Sequence, residues 1–254
     1  MRWGWWLLCL TFPLAAHPRV FNYKDASTAA YIRATGGYSA LSQDPFANSS
    51  GAGTTISGTT QYNYGGEVGF MLGLSSNLHL RLGAEFLQEN PVVADGLNSA
   101  GVSRFSLNSS VFIFNPNVTF EYVYSVHGNI RFFAELGAGY ANVTVVNDYK
   151  MTPAGTTTFG VSDYKETMDT NTLSGIAGVG LETLFTDNVT LLADFGYRYL
   201  PVNNLKYKAD VSTINNPSSV HKGDPVLNAD GSKRNLNLGG LFGGVALRFY
   251  LNFF

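Results

Sequence analysis

From residue 28 onward the chain alternates apolar and polar residues with a period of two, the signature of strands with one face in each environment. Leu78, Leu80, Leu82, Ala84 and Phe86 fall on one face, and His79, Arg81, Gly83 and Glu85 on the other. The same pattern sets Ile130, Phe132, Ala134, Leu136 and Tyr140 against Arg131, Glu135, Gly137 and Gly139. It recurs with Val189, Leu191, Ala193, Phe195, Tyr197 and Tyr199 against Asp194, Gly196 and Arg198. A helix would scramble these faces. The alternation predicts strands over 29–40, 61–73, 77–87, 113–124, 129–142, 173–185, 189–200 and 238–253. Eight is an even number, and each strand reaches the ~9–11 residues that a tilted strand needs to cross a bilayer.

The connections alternate between tight and long. Leu74–Asn77, Ser125–Gly128 and Thr186–Asn188 are tight, whereas 41–60, 88–112, 143–172 and 201–237 are long. Strict alternation puts every short turn at one end of a barrel and every long connection at the other. Transmembrane barrels have short periplasmic turns and longer extracellular loops, so both termini are expected on the periplasmic side. The long segments are rich in Ser, Thr, Asn and Gly, as at Asn48-Ser49-Ser50-Gly51 and Thr156-Thr157-Thr158. On that composition they read as surface loops.

Alternation alone does not say which face looks outward; lysine does. All seven lysines (24, 150, 165, 206, 208, 222 and 233) fall outside the predicted strands. A water-facing barrel wall would carry several. The polar face instead combines small residues with Arg33, Glu67, Arg81, Glu85, Glu121, Arg131, Glu135, Glu182, Asp194, Arg198 and Arg248. Five cations against six anions is close to balance, as a narrow interior requires when unpaired charge away from water is costly. Eight strands enclose a space that side chains can fill. A plugged ion network is therefore expected in place of an open channel. Along the apolar face Tyr62, Tyr64, Phe86, Tyr140, Tyr197 and Tyr199 gather toward the loop end. Tyr122, Tyr124, Phe132, Phe185, Phe249 and Phe253 gather toward the turn end. Two aromatic bands around an aliphatic zone match the girdles at lipid–water boundaries.

Composition agrees with this picture. Charged residues make up 13% of the 254, against about a quarter in soluble domains. Aromatic residues make up 14%, with 28 Gly. A net charge of −2 argues against a nucleic-acid partner, which needs a clustered basic face. Met1-Arg2, an apolar run from Trp3 to Leu14 and then Ala15-Ala16 have the layout of a secretory signal, with cleavage expected after Ala16. Residues 17–27 then form a periplasmic N-terminal segment and 28–254 the barrel. Cys9 lies within the signal and reads as one of its small apolar residues. A mature chain without it has no thiol for a disulfide or a metal site.

With these features the chain resembles the eight-stranded outer-membrane barrel superfamily, which includes the OmpA transmembrane domain, OmpX, OmpW and opacity-type proteins. The resemblance spans about residues 28–254 and is most specific in the last strand, Gly239 to Phe254. It implies a location in the Gram-negative outer membrane, with lipid and lipopolysaccharide as surroundings. It also implies recognition by the outer-membrane assembly machinery of a C-terminal signal at Phe249, Leu251, Phe253 and Phe254. Phe254 departs from the alternation of Leu247, Phe249, Leu251 and Phe253 by one position.

Some barrels of this size modify lipid A, so a hydrolytic site merits a search. A nucleophilic site needs Ser beside His with an orienting carboxylate. His79 starts a strand near Ser75 and Ser76, His127 lies in a tight turn, His221 lies in a long loop near Asp224, and His17 adjoins the cleavage site. Each reads more simply as a turn or loop histidine, and four scattered histidines do not form a zinc set. The interior carboxylates interleave with Arg and read as neutralised charge, not as acid–base pairs. Asn228-Ala229-Asp230-Gly231-Ser232 reads as an Asp-Gly turn, not a calcium loop. No cofactor and no metal are expected. The expected role is non-enzymatic: envelope integrity or surface interaction, including adhesion, through loops that meet an unknown surface ligand. A narrow pore or transporter for small apolar compounds or ions is the alternative, and a lipid A-modifying enzyme a more distant one.

Overall fold

The computed structural model describes residues 28–40, 60–127, 129–216, 218–228 and 231–251. The expected signal peptide, Cys9, His17, the segment 41–59 and the terminal Phe253 and Phe254 lie outside the described residues. The strands in chain order are β1 (Thr28–Ala40), β2 (Thr60–Gly73), β3 (Leu78–Glu89), β4 (Val92–Leu97), β5 (Ser103–His127) and β6 (Ile130–Met151). A short helix α1 (Pro153–Phe159) follows, then β7 (Tyr164–Thr186), β8 (Val189–Tyr199), β9 (Pro201–Val202), β10 (Lys206–Tyr207), β11 (Leu236–Asn237) and β12 (Gly240–Tyr250).

Eight of these strands close a ring. Each of β1, β2, β3, β5, β6, β7, β8 and β12 pairs antiparallel with its neighbour, and β12 returns to β1. The registers run unbroken through most of the wall, for example Ala29↔Tyr250 through Ser39↔Gly240 between β1 and β12. Closure leaves the ring no open edge, which is the condition for a sheet to sit in hydrocarbon. The faces follow the alternation: Leu136, 66% exposed, points outward while Glu135 is buried. Tyr62, Tyr64, Phe86, Tyr140, Tyr197 and Tyr199 form an exposed aromatic ring toward one end, and Tyr122, Tyr124, Phe185 and Phe249 one toward the other. Between them lie Ile32, Val68, Phe70, Leu82, Val118, Leu136, Val179, Leu191 and Val245, all exposed. So broad an apolar outer belt around a charged interior is stable only in lipid. The chain is a transmembrane barrel. No described helix is long and apolar enough to cross a membrane, as expected of a chain that crosses with strands.

Three segments expected to be loops are folded. The 88–112 segment contains the end of β3, all of β4 and the first half of β5. The 143–172 segment completes β6, makes α1 and starts β7. The 201–237 segment holds β9, β10 and β11 and folds over the barrel mouth. As a result Lys150, Lys165 and Lys206 lie in strands, contrary to expectation, although all of them stand beyond the aromatic ring. The physical reason is an inversion of the alternation. In the belt β5 turns Phe112, Phe114, Val118, Phe120 and Tyr122 outward and Asn115, Thr119 and Glu121 inward. Beyond the belt the same strand buries Phe105, Leu107, Val111 and Ile113 and sends Ser106, Asn108 and Ser110 outward. Water now wets the outside, so the apolar side chains turn in and pack on one another. On β6 the extension runs from Tyr140 to Met151, roughly 35 Å of strand at about 3.3 Å per residue.

Candidate functional site

The registers bring the inward charges together. Arg33 faces Glu67 across β1 and β2, and Arg131 faces Glu182 across β6 and β7. Two like-charged pairs also face each other, Glu67↔Glu85 and Glu121↔Glu135. Directly opposed like charges destabilise a sheet unless a counter-charge intervenes. Arg81 supplies it for the second pair, 2.7 Å from Glu121 and 3.1 Å from Glu135.

All eleven charged residues singled out from the alternation point inward and are at most 7% exposed. Nine of them form one connected network. Arg33 grips Asp194 with Nε at 2.9 Å and Nη2 at 2.6 Å and donates to Glu67 at 3.0 Å. Arg81 links Glu67, at 3.9 Å, to Glu121 and Glu135. Arg248 donates to Glu121 and, at 2.8 Å, to Glu182, which also accepts from Arg131 Nε at 2.7 Å. Arg198 and Glu85 pair separately, nearer the mouth, where Asn115 donates to Glu85 at 3.1 Å and Ser174 to Asn115 at 2.8 Å.

Several partners of these charges escape the sequence reading. Tyr31 donates to Glu67 at 2.6 Å, Tyr250 donates to Glu182 at 2.8 Å, and Thr190 also donates to Glu182. Aromatic rings support all five interior arginines. Arg33 and Arg198 lie over Phe242 (5.2 and 5.3 Å), Arg81 over Tyr31 (5.4 Å), Arg248 over Phe133 (5.7 Å) and Arg131 over Tyr250 (5.8 Å). These rings occupy inward positions of the same parity as the charges. They are legible as inward tyrosines and phenylalanines, but a search for ions passes over them. His79, buried at the turn end, and Glu89, buried opposite Asn63 near the mouth, complete the polar interior.

The lumen is thus full. A water-sized void remains beside Arg33, Glu67, Glu85 and Asn115. Above it the extension and the 201–237 segment close the mouth with an apolar layer. Leu87, Val111, Ile113, Ala141, Val143, Val145 and Met168 of the wall pack on Leu200, Val202, Leu205, Tyr207, Val226, Leu236 and Leu238. Higher still, a second polar cluster is buried. Ser109 donates to Asn147 at 2.6 Å, Asn147 to Glu166 at 2.7 Å, and Arg234 approaches Glu166 at 3.8 Å. Burial raises the Glu166 carboxyl above the usual range, with Arg234 opposing, and burial pushes the Tyr207 hydroxyl up to about 12.

On the lipid side the wall has one irregular place. Phe114 pairs with Asn142 and Asn117 with Gly139, but Asn115 and Pro116 make no pairing with β6. Proline has no N–H to give the ladder. An apolar hollow of about 980 Å³ lies over this place, lined by Phe70, Leu82, Ala84, Pro116, Ala138 and Tyr140 among others. It shares Asn117, Ala138 and Gly139 with the interior void.

Among the described residues, the pairing of His79 with Ser75 or Ser76 does not form. His79 turns into the lumen, whereas Ser75 Oγ accepts from the N–H of Leu78 at 3.1 Å and Ser76 donates to Asn77 at 2.9 Å. Ser125 and His127 meet at 3.2 Å on the exposed turn, and His221 meets Asp210 at 3.2 Å on the exposed mouth segment. Residues 229 and 230 of the expected Asp-Gly turn lie outside the described residues; beside them the Asn228 N–H bonds Ser232 O at 2.8 Å and Gly231 takes φ 79°. Among the described residues no group of three His, Cys, Asp or Glu side chains is placed to hold a metal. Of the expected assembly signal, Phe249 faces outward and Leu251 follows the end of β12, its N–H bonded to Thr28.

No family model and no curated protein matches the chain. Solved structures do resemble it. A major outer membrane protein from Thermus thermophilus is 16% identical, covering 87% of this chain and 99% of that one, with a TM-score of 0.48. OprG of Pseudomonas aeruginosa is 11% identical, covering 89% and 98%, with a TM-score of 0.47. The outer membrane protease OmpT of Escherichia coli is 9% identical, covering 89% and 94%, with a TM-score of 0.41. The closed ring of strand registers, not these likenesses, establishes the barrel here.

Proposed function

We propose that this barrel is a non-enzymatic outer-membrane scaffold that keeps its lumen shut and holds a folded extension at the cell surface for contact with a surface ligand. The observation that carries the reading is the double filling of the interior: a salt-bridge network at membrane depth and an apolar seal at the mouth. Together they leave no open axial path among the described residues. In this reading the tight turns and both termini face the periplasm and the extension faces outward. The outer face of the extension, with Asn108, Asp148, Lys150, Lys165 and Asp169, is polar and of mixed charge, which suits recognition on a rigid support. The test is photo-cross-linking in intact cells from probes at Asn108 and Asp148, with a probe at Leu136 as the lipid-facing control. The expected result is macromolecular adducts from the extension positions alone. Adducts of lipid only from all three positions would overturn the reading.

A second reading, passage of small apolar compounds, has one observation in its favour: the missing pairing at Asn115 and Pro116 beneath the apolar hollow. Proteoliposomes that take up an apolar fluorophore faster than empty vesicles, and lose the difference in Ala138→Phe, would favour it over the scaffold.

A further inference from the structure

The segment over the mouth is built as a separable piece. Its two arms meet in a neck, where β9 pairs with β11 (Val202↔Leu236) and the Leu238 N–H bonds Leu200 at 3.0 Å. Beyond the neck, Asn204 takes φ 57°, a left-handed turn that few residues other than glycine adopt, and the chain leaves the wall direction there. Among the described residues, the body of the segment has one sheet link to the wall, the two-residue strand β10 on β7. Two ion pairs join it to β7 among the same residues. Lys208–Asp169, at 3.3 Å, lies open to water, where such pairs contribute little. Arg234–Glu166 is buried, with both side chains under 10% exposed.

We propose that the described part of residues 201–237 forms a lid on the barrel mouth whose seating is set by the charge state of Glu166 against Arg234. Glu166 stands on the inner face of β7, and the guanidinium that faces it arrives only with the lid. The contact is long, 3.8 Å, and falls on the oxygen that already accepts from Asn147. A buried carboxylate held by two neutral donors, Asn147 and Tyr149, and a distant cation has little charge compensation. Lifting the lid hydrates it.

The other ionisable groups near Glu166 are Tyr149 on β6, Tyr164 on β7, and Tyr207 and Arg234 on the lid, with Asp224 beyond Tyr207. The tyrosine hydroxyls are all pushed up by burial from an already alkaline range, so Glu166 is the member of this buried cluster that loses its proton first as pH rises. Its carboxyl is raised in the seated state, so the seated lid holds a proton that the open lid releases. Seating is therefore strongest below the ordinary glutamate range and is lost as pH rises through the raised value.

Hydrogen exchange of the full chain in lipid nanodiscs tests this, read on peptides within 203–228 from pH 5 to 9 after correction for intrinsic rates. Strand 189–199 serves as the reference. Lid opening should rise with pH, by up to about tenfold per unit where Glu166 titrates. Glu166→Gln, which keeps the Asn147 bond, should flatten the profile at its acid value. Arg234→Met, which removes the facing cation, should leave the lid seated at the acid end of the range and looser than wild type at the alkaline end. A flat wild-type profile, a slope that persists in Glu166→Gln but disappears in His221→Gln, or a slope shared by 189–199 would overturn the proposal. Should Glu166→Gln fail to insert, Arg234→Met decides, since equal loosening at pH 5 and pH 8 would contradict a charge-set lid.

Discussion

Arg33 shows what an inward guanidinium does in this interior. It makes two bonds to Asp194 and a third to Glu67, and its guanidinium carbon lies over the Phe242 ring. Removing it leaves two carboxylates without their nearest cation, so Arg33→Met should destabilise the barrel by about 3–5 kcal/mol. Pairing that change with Asp194→Asn should recover much of the loss, because the buried charge goes with its partner. Urea unfolding in lipid vesicles reads both, and an equal loss in the double variant would contradict a charge network. Gly83 sets the same constraint from the backbone side. A Cβ there would come within 2.2 Å of a Glu67 oxygen and 2.5 Å of the Tyr31 hydroxyl, so Gly83→Ala must displace both side chains. On the outside the rule reverses. Leu136→Arg should cost about 2–4 kcal/mol near the midplane, whereas Ser218→Ala on the mouth segment should stay within about 0.5 kcal/mol. Equal tolerance at the two positions would reverse the assignment of faces.

At the scale of elements, Val143 tests whether the extension and mouth segment share one core. It is fully buried under the lid on β6, yet lies beyond the aromatic ring. Val143→Asp puts a carboxylate with no partner into that apolar layer. It should weaken lid seating by about 2 kcal/mol or more while the ring of strands keeps its resistance to heat. Protease cleavage confined to 203–235 is the expected readout; loss of the whole barrel would mean that the two cores are not separable. This is also where the sequence is least legible. Within the belt, predicted and observed strand ends agree within a few residues, because Leu78 to Phe86 or Val189 to Tyr199 alternates between lipid and charge, a strong contrast. In the extension the contrast is weaker and inverted. Phe105, Leu107, Val111 and Ile113 keep the period of two, but their partners are Ser and Asn, and overall composition masks the alternation. Ser, Thr and Asn content points to loop, although those residues occupy only the wet face. Arg234 and Glu166 are invisible for a related reason: their pairing joins segments 68 positions apart whose compositions both read as loop. The eleven charges of the lumen are legible because parity alone places them.

The whole molecule has two closures in series, and they differ in physical kind. The mouth is sealed by apolar packing, which a local motion can open. The membrane-depth plug is a web of charges anchored on all eight ring strands, and it cannot leave without opening the wall. It follows that removing the mouth segment should not by itself make a pore. A variant in which residues 203–235 are replaced by a short Gly-Ser linker should fold, expose the apolar mouth, and still pass no ions in a planar bilayer. Thinning the plug as well, with Arg81→Ala, Glu121→Ala and Glu135→Ala made together while Arg248 keeps Glu182, should leave space for water along β3, β5 and β6. Small unitary steps are expected in that combined variant only. Steps from the linker variant alone would show that the side chains around Arg81 do not block the lumen under voltage, and the scaffold reading would then give way to a gated pore.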